Sequence, residues 1–138
     1  MDEKADARAS DARHCVLYIE DNAVNRLLVE RVFEHRDNID IIVATRGLLG
    51  LEMARDHQPA IVLLDIHLPD VNGDKVLTRL RDDPLTRDIP VVVLSADASD
   101  RQMQRLLNLG AAAYLTKPLD VHKLLETVDV MISEQTRR

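Results

Sequence analysis

The chain has 138 residues, which is enough for one folded domain and leaves no room for a second. Hydrophobic residues make up 46% and charged residues 30% of the chain, the balance of a soluble globular protein. The net charge of -6 argues against direct nucleic-acid binding, because a phosphate backbone requires a basic surface.

The first fourteen residues are charged and rich in alanine, and they lack the apolar core of a signal peptide. No apolar run in the chain approaches the length of a membrane span, so the sequence predicts a cytoplasmic location without membrane association. We expect residues 1–14 to form a disordered tail or linker and residues 15–135 to form the folded domain.

From residue 15 onward, a run typical of a strand alternates five times with a run typical of a helix. The predicted strands cover residues 15–20, 39–45, 60–65, 89–95 and 112–115. The predicted helices cover residues 23–35, 48–57, 73–82, 100–109 and 121–133. Because parallel strands need a crossover of helical length, this alternation predicts an α/β fold with a parallel sheet and helices on both faces.

Local signals support these boundaries. Asn22 can cap the first helix, and Gly110 stands where a residue with a positive φ would end the fourth. Pro84 and Pro90 bracket a loop that cannot continue the third helix.

The third predicted strand contains the apolar run 61–64 and ends at Asp65. Such a run is typical of a parallel strand covered on both faces. The loop that follows contains Pro69 and closes at Gly73, so Asp65 should stand at the carboxyl end of a buried strand. In open α/β sheets, this edge is where functional sites are built.

Polar residues follow other strands at the same edge. Glu20 and Asp21 follow the first strand, Ser95 ends the fourth, and Lys117 lies just beyond the fifth. Taken singly, each has an ordinary explanation as a turn former, a helix-start acid, a backbone-bonded hydroxyl or a solvated lysine. Taken together, we expect them to converge with Asp65, because the carboxyl ends of parallel strands share one edge.

Three carboxylates in one crevice repel one another and raise each other's pKa unless a cation is present. A cluster of oxygen ligands suits Mg²⁺, and with that ion and Lys117 the site would be formally neutral. Such a site could use one carboxylate as a nucleophile toward phosphorus, with Ser95 bonding a phosphoryl oxygen.

Four motifs resemble the receiver (response regulator) domain of two-component signalling. They are Tyr-Ile-Glu-Asp-Asn-x-x-Asn at 18–25, Leu-Leu-Asp-Ile-His-Leu-Pro-Asp-Val-Asn-Gly at 63–73, Ile-Pro-Val-Val-Val-Leu-Ser-Ala at 89–96 and Gly-Ala-Ala-Ala-Tyr-Leu-Thr-Lys-Pro at 110–118. The resemblance covers residues 15–133, and Asn22 and Asn25 resemble the versions found in hybrid sensor kinases. It implies a flavodoxin-like (βα)5 three-layer sandwich with strand order 2-1-3-4-5.

The resemblance also implies roles for individual residues. Asp65 would accept a phosphoryl group from a phosphohistidine. Asp21, Asp65 and the backbone carbonyl of His67 would bind Mg²⁺, and Glu20 would assist through water. Lys117 would pair with Asp65 and with the phosphoryl group.

A switch is implied as well. Ser95 and Tyr114 would form the switch pair, and the bond between Lys117 and Pro118 would be cis. The readout surface would be the fourth helix, fifth strand and fifth helix. Its predicted polar residues are Arg101, Gln104, Arg105, Asn108, His122, Lys123 and Glu126.

The implied partner is a histidine kinase or a histidine phosphotransfer protein, with an unknown downstream effector, and the chain would be a monomer or weak homodimer. The domain would assist its own phosphorylation and dephosphorylation without turning over a separate substrate. One alternative is a degenerate receiver that acts as a protein-interaction scaffold. A phosphatase of the haloacid dehalogenase type needs a second Asp where His67 stands, and a flavin-binding flavodoxin needs a hydroxyl-rich loop that residues 21–25 lack.

Overall fold

A computed structural model describes residues 13–137 and contains all ten predicted elements, with bounds that differ from the predictions by at most three residues. The strands are β1 (His14–Ile19), β2 (Ile39–Ala44), β3 (Ile61–Asp65), β4 (Val91–Ser95) and β5 (Ala113–Thr116). The helices are α1 (Ala23–Phe33), α2 (Gly47–His57), α3 (Gly73–Asp82), α4 (Asp100–Asn108) and α5 (Val121–Thr136).

The predicted tail, residues 1–14, lies outside the described residues except at its end. His14 is part of β1 there, since its backbone N–H donates to the Asn38 carbonyl at 2.7 Å. The first strand therefore begins one residue earlier than predicted, because backbone pairing with the segment before β2 extends beyond the apolar run.

The five strands are parallel and lie in the order β2-β1-β3-β4-β5, as predicted. One face of the sheet packs against α2, α3 and α4 through residues such as Ala54, Leu77 and Leu106. The other face packs against α1 and α5 through residues such as Val29 and Val128. The protein is therefore a three-layer sandwich with one hydrophobic core on each side of the sheet.

Strand β3 lies in the middle of the sheet, and all five of its residues are buried. Leu63 packs in one core and Leu64 in the other, because successive side chains of a strand point to opposite faces. Asp65 is the last residue of this strand, so its carboxyl group is held at the edge of a buried and well-packed part of the sheet.

The β3–α3 loop is held in place at Gly73 and at Asp70. At Gly73, a Cβ atom would lie 2.6 Å from the Ile66 Cα, so only glycine permits this close approach. Earlier in the loop, the Asp70 carboxylate accepts hydrogen bonds from the backbone N–H groups of Gly47 at 2.9 Å and Leu48 at 3.0 Å. Asp70 thus caps α2 from a different loop, and these two bonds lower the pKa of its carboxyl group.

We predict that Asp70→Ala will lower the free energy of unfolding by about 1–2 kcal/mol, because two N–H groups at the start of α2 lose their acceptor. Asp70→Asn keeps one acceptor oxygen and should lose less. Urea denaturation would measure both, with Glu52→Ala, an exposed change on the same helix, as the matched control. A loss for Asp70→Ala no larger than that of the control would contradict the cap.

Candidate functional site

Three carboxylates meet at the carboxyl edge of the sheet. Glu20 and Asp21 follow β1, Asp65 ends β3, and one oxygen from each lies within 4.8 Å of the others. Glu20 is 1% and Asp65 3% exposed, whereas Asp21 is open to solvent. The convergence that the strand pattern predicts is therefore present in the structure.

Lys117 reaches the same cluster from beyond β5. Its Nζ atom lies 3.0 Å from Glu20 Oε1 and 3.1 Å from Asp65 Oδ1. The backbone N–H of Lys117 donates to the Ser95 carbonyl at 2.8 Å, which continues the pairing of β4 with β5, and the following bond to Pro118 is cis. A single ammonium group thus bridges two buried carboxylates that belong to neighbouring strands.

Ser95 and Tyr114 both contact the backbone of Asp97 in the β4–α4 loop. The fully buried Ser95 hydroxyl accepts a hydrogen bond from the Asp97 N–H at 3.1 Å, and the Tyr114 hydroxyl donates to the Asp97 carbonyl. The structure therefore links the two predicted switch residues through the backbone of one residue, Asp97. His67, by contrast, has an exposed side chain, and its backbone N–H donates to Asp65 Oδ1 at 3.3 Å.

Burial dominates the electrostatics of the cluster. Desolvation, together with the neighbouring Glu20 carboxylate, raises the pKa of Asp65 to about 6. Burial also penalises the charged form of Glu20, but hydrogen bonds with Asp65, Lys117 and Tyr18 outweigh it and lower the pKa of Glu20. The same carboxylates outweigh the burial of Lys117 and raise its pKa. Lys117 therefore stays charged, whereas burial and the nearby Glu20 carboxylate make Asp65 harder to ionise.

The residues present fit a hard divalent cation. Three carboxylates face one ammonium group, which leaves negative charge unmatched in a largely buried place. The donors are all oxygen atoms, as Mg²⁺ prefers. The exposed position of Asp21 leaves the cluster open on one side.

Sequence reasoning missed three residues that shape this site. The Tyr18 hydroxyl lies 3.1 Å and the Asn25 side-chain amide 3.2 Å from Glu20 Oε1. The Arg26 guanidinium donates to the backbone carbonyls of Glu20 at 3.1 Å and Asp21 at 2.6 Å. Strand periodicity was a usable signal for Tyr18, because residues two apart in a strand share a face.

The sheet order and the cluster at its carboxyl edge define a flavodoxin-like domain with an acidic site. Residues 16–129 match the family model described as the response regulator receiver domain. The polar-differentiation response regulator DivK of Brucella anthropi is 36% identical over 113 residues, which span 82% of this chain and 91% of the relative. The chain therefore belongs to the response regulator receiver domain family, whose role is that of a phosphoacceptor in two-component signalling.

Solved structures agree on the fold. A Francisella response regulator receiver domain superimposes with a TM-score of 0.83 at 26% identity, covering 89% of this chain and 99% of that one. The receiver domain of a sensor histidine kinase from Pseudomonas aeruginosa gives a TM-score of 0.80 at 24% identity and covers 88% and 99%. That second structure holds a magnesium ion coordinated in its active-site cleft. Among residues 13–137 of the present chain, no helix has the length and apolar character needed to cross a membrane.

We predict that Asp65→Asn will stabilise the metal-free protein at neutral pH. The pKa of Asp65 in the folded chain, about 6, lies above its ordinary value, so the stability it contributes is present at low pH and is lost as the pH rises through about 6. Between pH 4 and 7.5, the wild type should lose about 1–3 kcal/mol of unfolding free energy relative to the variant.

Urea unfolding in the presence of a chelator, repeated across this pH range, measures the difference. Asp56→Asn, which removes an exposed acid on α2, is the reference for the loss of one negative charge. A difference between Asp65→Asn and wild type that does not vary with pH would show that the cluster is not electrostatically strained.

Proposed function

We propose that Asp65 is the phosphoacceptor of this receiver domain. A carboxylate oxygen of Asp65 attacks the phosphorus of a phosphohistidine, the P–O bond forms as the P–N bond breaks, and the released imidazole takes up a proton. The observation that carries the proposal is the contact of the Lys117 ammonium with Asp65, 3.1 Å apart at the buried edge of the sheet. This placement lets Lys117 neutralise charge on the incoming phosphoryl group.

The residues that would hold Mg²⁺ are Asp21, Asp65 and the backbone carbonyl of His67, with Glu20 acting through water. The unmatched negative charge of the cluster supports this assignment. The ion would supply charge neutralisation for the phosphoryl oxygens. The chain's own contribution is to orient Asp65, through Lys117 Nζ and the His67 N–H on one carboxylate oxygen, and Lys117 opposes part of the rise in the pKa of Asp65.

The donor would be a histidine kinase or a histidine phosphotransfer protein, in keeping with the family and with the DivK relatives, which are named as response regulators. The domain would bring about its own phosphorylation and dephosphorylation and turn over no separate metabolite. The hybrid-kinase relationship, the cytoplasmic location, the monomeric or weakly dimeric state and the lack of nucleic-acid or membrane binding stay predictions from the sequence.

Phosphorylation would be read out through the β4–α4 loop. Because Ser95 contacts the N–H and Tyr114 the carbonyl of Asp97, movement of Ser95 toward a phosphoryl oxygen would release that N–H and disturb the Tyr114 contact. The surface affected is α4, β5 and α5. Its predicted polar residues are all exposed: Arg101, Gln104, Arg105, Asn108, His122, Lys123 and Glu126.

Incubation with Mg²⁺ and acetyl phosphate, followed by intact mass measurement, tests the acceptor. We expect the wild type to gain one phosphoryl group and Asp65→Asn to gain none, because the amide is not a nucleophile toward phosphorus. Asp21→Asn keeps the acceptor and removes a proposed ligand, so its uptake should be slower and should recover partly at higher Mg²⁺ concentration. Equal uptake by wild type and Asp65→Asn would place the phosphoryl group elsewhere.

Amide hydrogen exchange before and after phosphorylation tests the switch. We expect changed exchange in residues 97–123, since the β4–α4 loop, α4 and β5 depend on the contacts at Asp97. The core strand β3 provides an internal reference, because all of its residues are buried. An unchanged pattern across residues 97–123 in fully phosphorylated protein would refute this readout surface.

A further inference from the structure

One oxygen of Glu20 accepts hydrogen bonds from three donors on three different elements. Glu20 Oε1 lies 3.1 Å from the Tyr18 hydroxyl, 3.2 Å from the Asn25 amide nitrogen and 3.0 Å from Lys117 Nζ. The other oxygen, Oε2, lies 3.4 Å from the Asn22 backbone N–H, a longer contact. Glu20 is 1% exposed, so these contacts and not water decide where its carboxylate points.

Tyr18 is the unexpected member of this set. Its side chain is fully buried, and it packs in the core formed by Val16, Leu63 and Leu94 among others. A phenol hydroxyl in such a place costs free energy unless it finds a partner, and a phenylalanine would fill the same space without that cost. The partner that this hydroxyl finds is Glu20, and burial raises the pKa of Tyr18, so the hydroxyl keeps its proton and donates.

We propose that Tyr18 is a positioning residue for the phosphoryl-transfer site. Its hydroxyl fixes Glu20 so that Oε1 holds the Lys117 ammonium beside Asp65, while Oε2 faces the Asn22 backbone N–H. The inference depends on the proposed role of Asp65 and extends it, because it assigns the orientation of Lys117 to a core side chain that does not touch the acceptor.

The length of the Glu20 side chain contributes to the same positioning of Lys117. An aspartate at this position would be shorter by one methylene, about 1.5 Å. Its carboxylate would then be withdrawn from Lys117 or from Tyr18, since Glu20 Oε1 now lies 3.0 Å from Lys117 Nζ and 3.1 Å from the Tyr18 hydroxyl, and the shorter side chain could not keep both distances. The Tyr18 hydroxyl should therefore matter when residue 20 is glutamate and lose its effect when it is aspartate.

The experiment is a double-mutant cycle of Tyr18→Phe and Glu20→Asp, read by the rate of phosphoryl uptake from acetyl phosphate across a Mg²⁺ titration. We expect Tyr18→Phe to lower the maximal rate about 3- to 10-fold, the loss of one hydrogen bond to a charged group, and to leave the half-saturating Mg²⁺ concentration within about twofold. In the Glu20→Asp background, Tyr18→Phe should change the rate less than about 1.5-fold.

Val16→Ala is the matched structural control. Val16 lies two residues before Tyr18 in the same strand, is fully buried in the same core and carries no polar group. It should destabilise the fold and leave the maximal rate unchanged. An equal rate loss in Val16→Ala, or an equal effect of Tyr18→Phe in both backgrounds, would overturn the proposal and leave Tyr18 a packing residue.

A second readout needs no phosphorylation. Acetylation of Lys117 by limiting acetic anhydride in the metal-free protein, quantified by peptide mass spectrometry, should rise at least about twofold in Tyr18→Phe relative to the exposed Lys75, because Glu20 holds the ammonium less firmly. Unchanged labelling would contradict the positioning role. If labelling rises but the wild type takes up no phosphoryl group, Tyr18 still orients Glu20 and Lys117, and the proposed function of Asp65 is wrong.

Discussion

The interaction on which this site depends is the contact of one partly buried lysine with two buried carboxylates. Removing charges from water is expensive, so such a group is retained only where its partners and the surrounding structure hold it firmly. Here Lys117 comes from the end of β5, Glu20 from the end of β1 and Asp65 from the end of β3. The sheet must place three strand ends within hydrogen-bond distance of one ammonium group, and two apolar cores stabilise the sheet that does so.

The two loops beside the acid cluster, β3–α3 and β4–α4, are held by different kinds of contact. Strand β3 is buried over its whole length, and the loop after it is tied to α2 by Asp70. The β4–α4 loop is exposed from residue 96 to 99, and its attachment to Ser95 and Tyr114 passes through the backbone of Asp97. The β3–α3 loop is therefore fastened to a neighbouring helix through a side chain, whereas the β4–α4 loop is held at the backbone of Asp97 by Ser95 and Tyr114.

The sequence pattern predicted the parallel α/β sheet and the acid cluster because both depend on features local to each strand: the apolar run before Asp65, and polar residues such as Ser95 at strand ends. The strand order was implied by the resemblance to receiver domains. It did not predict the cap on α2, because Asp70 lies 22 and 23 residues from the N–H groups that it binds. It also missed Tyr18, whose spacing from Glu20 was visible but whose importance arises from the burial of both side chains. Properties set by local periodicity can thus be predicted from one sequence, whereas contacts between distant loops need the tertiary structure.

The charge imbalance of the cluster connects stability with function. If a lysine paired with every carboxylate, the electrostatic free energy of the unphosphorylated site would be lower. Such a site would have no place for further positive charge or for a phosphoryl group. In this chain, three carboxylates share one ammonium, and burial together with the neighbouring Glu20 carboxylate raises the pKa of Asp65 to about 6. The electrostatic cost of this crowding therefore falls on the adjacent buried carboxylates of Glu20 and Asp65, at the ends of the neighbouring strands β1 and β3. Because Lys117 contacts both carboxylates, the ionisation of Asp65 and that of Glu20 are linked, and a positive charge placed beside either one favours the charged form of both.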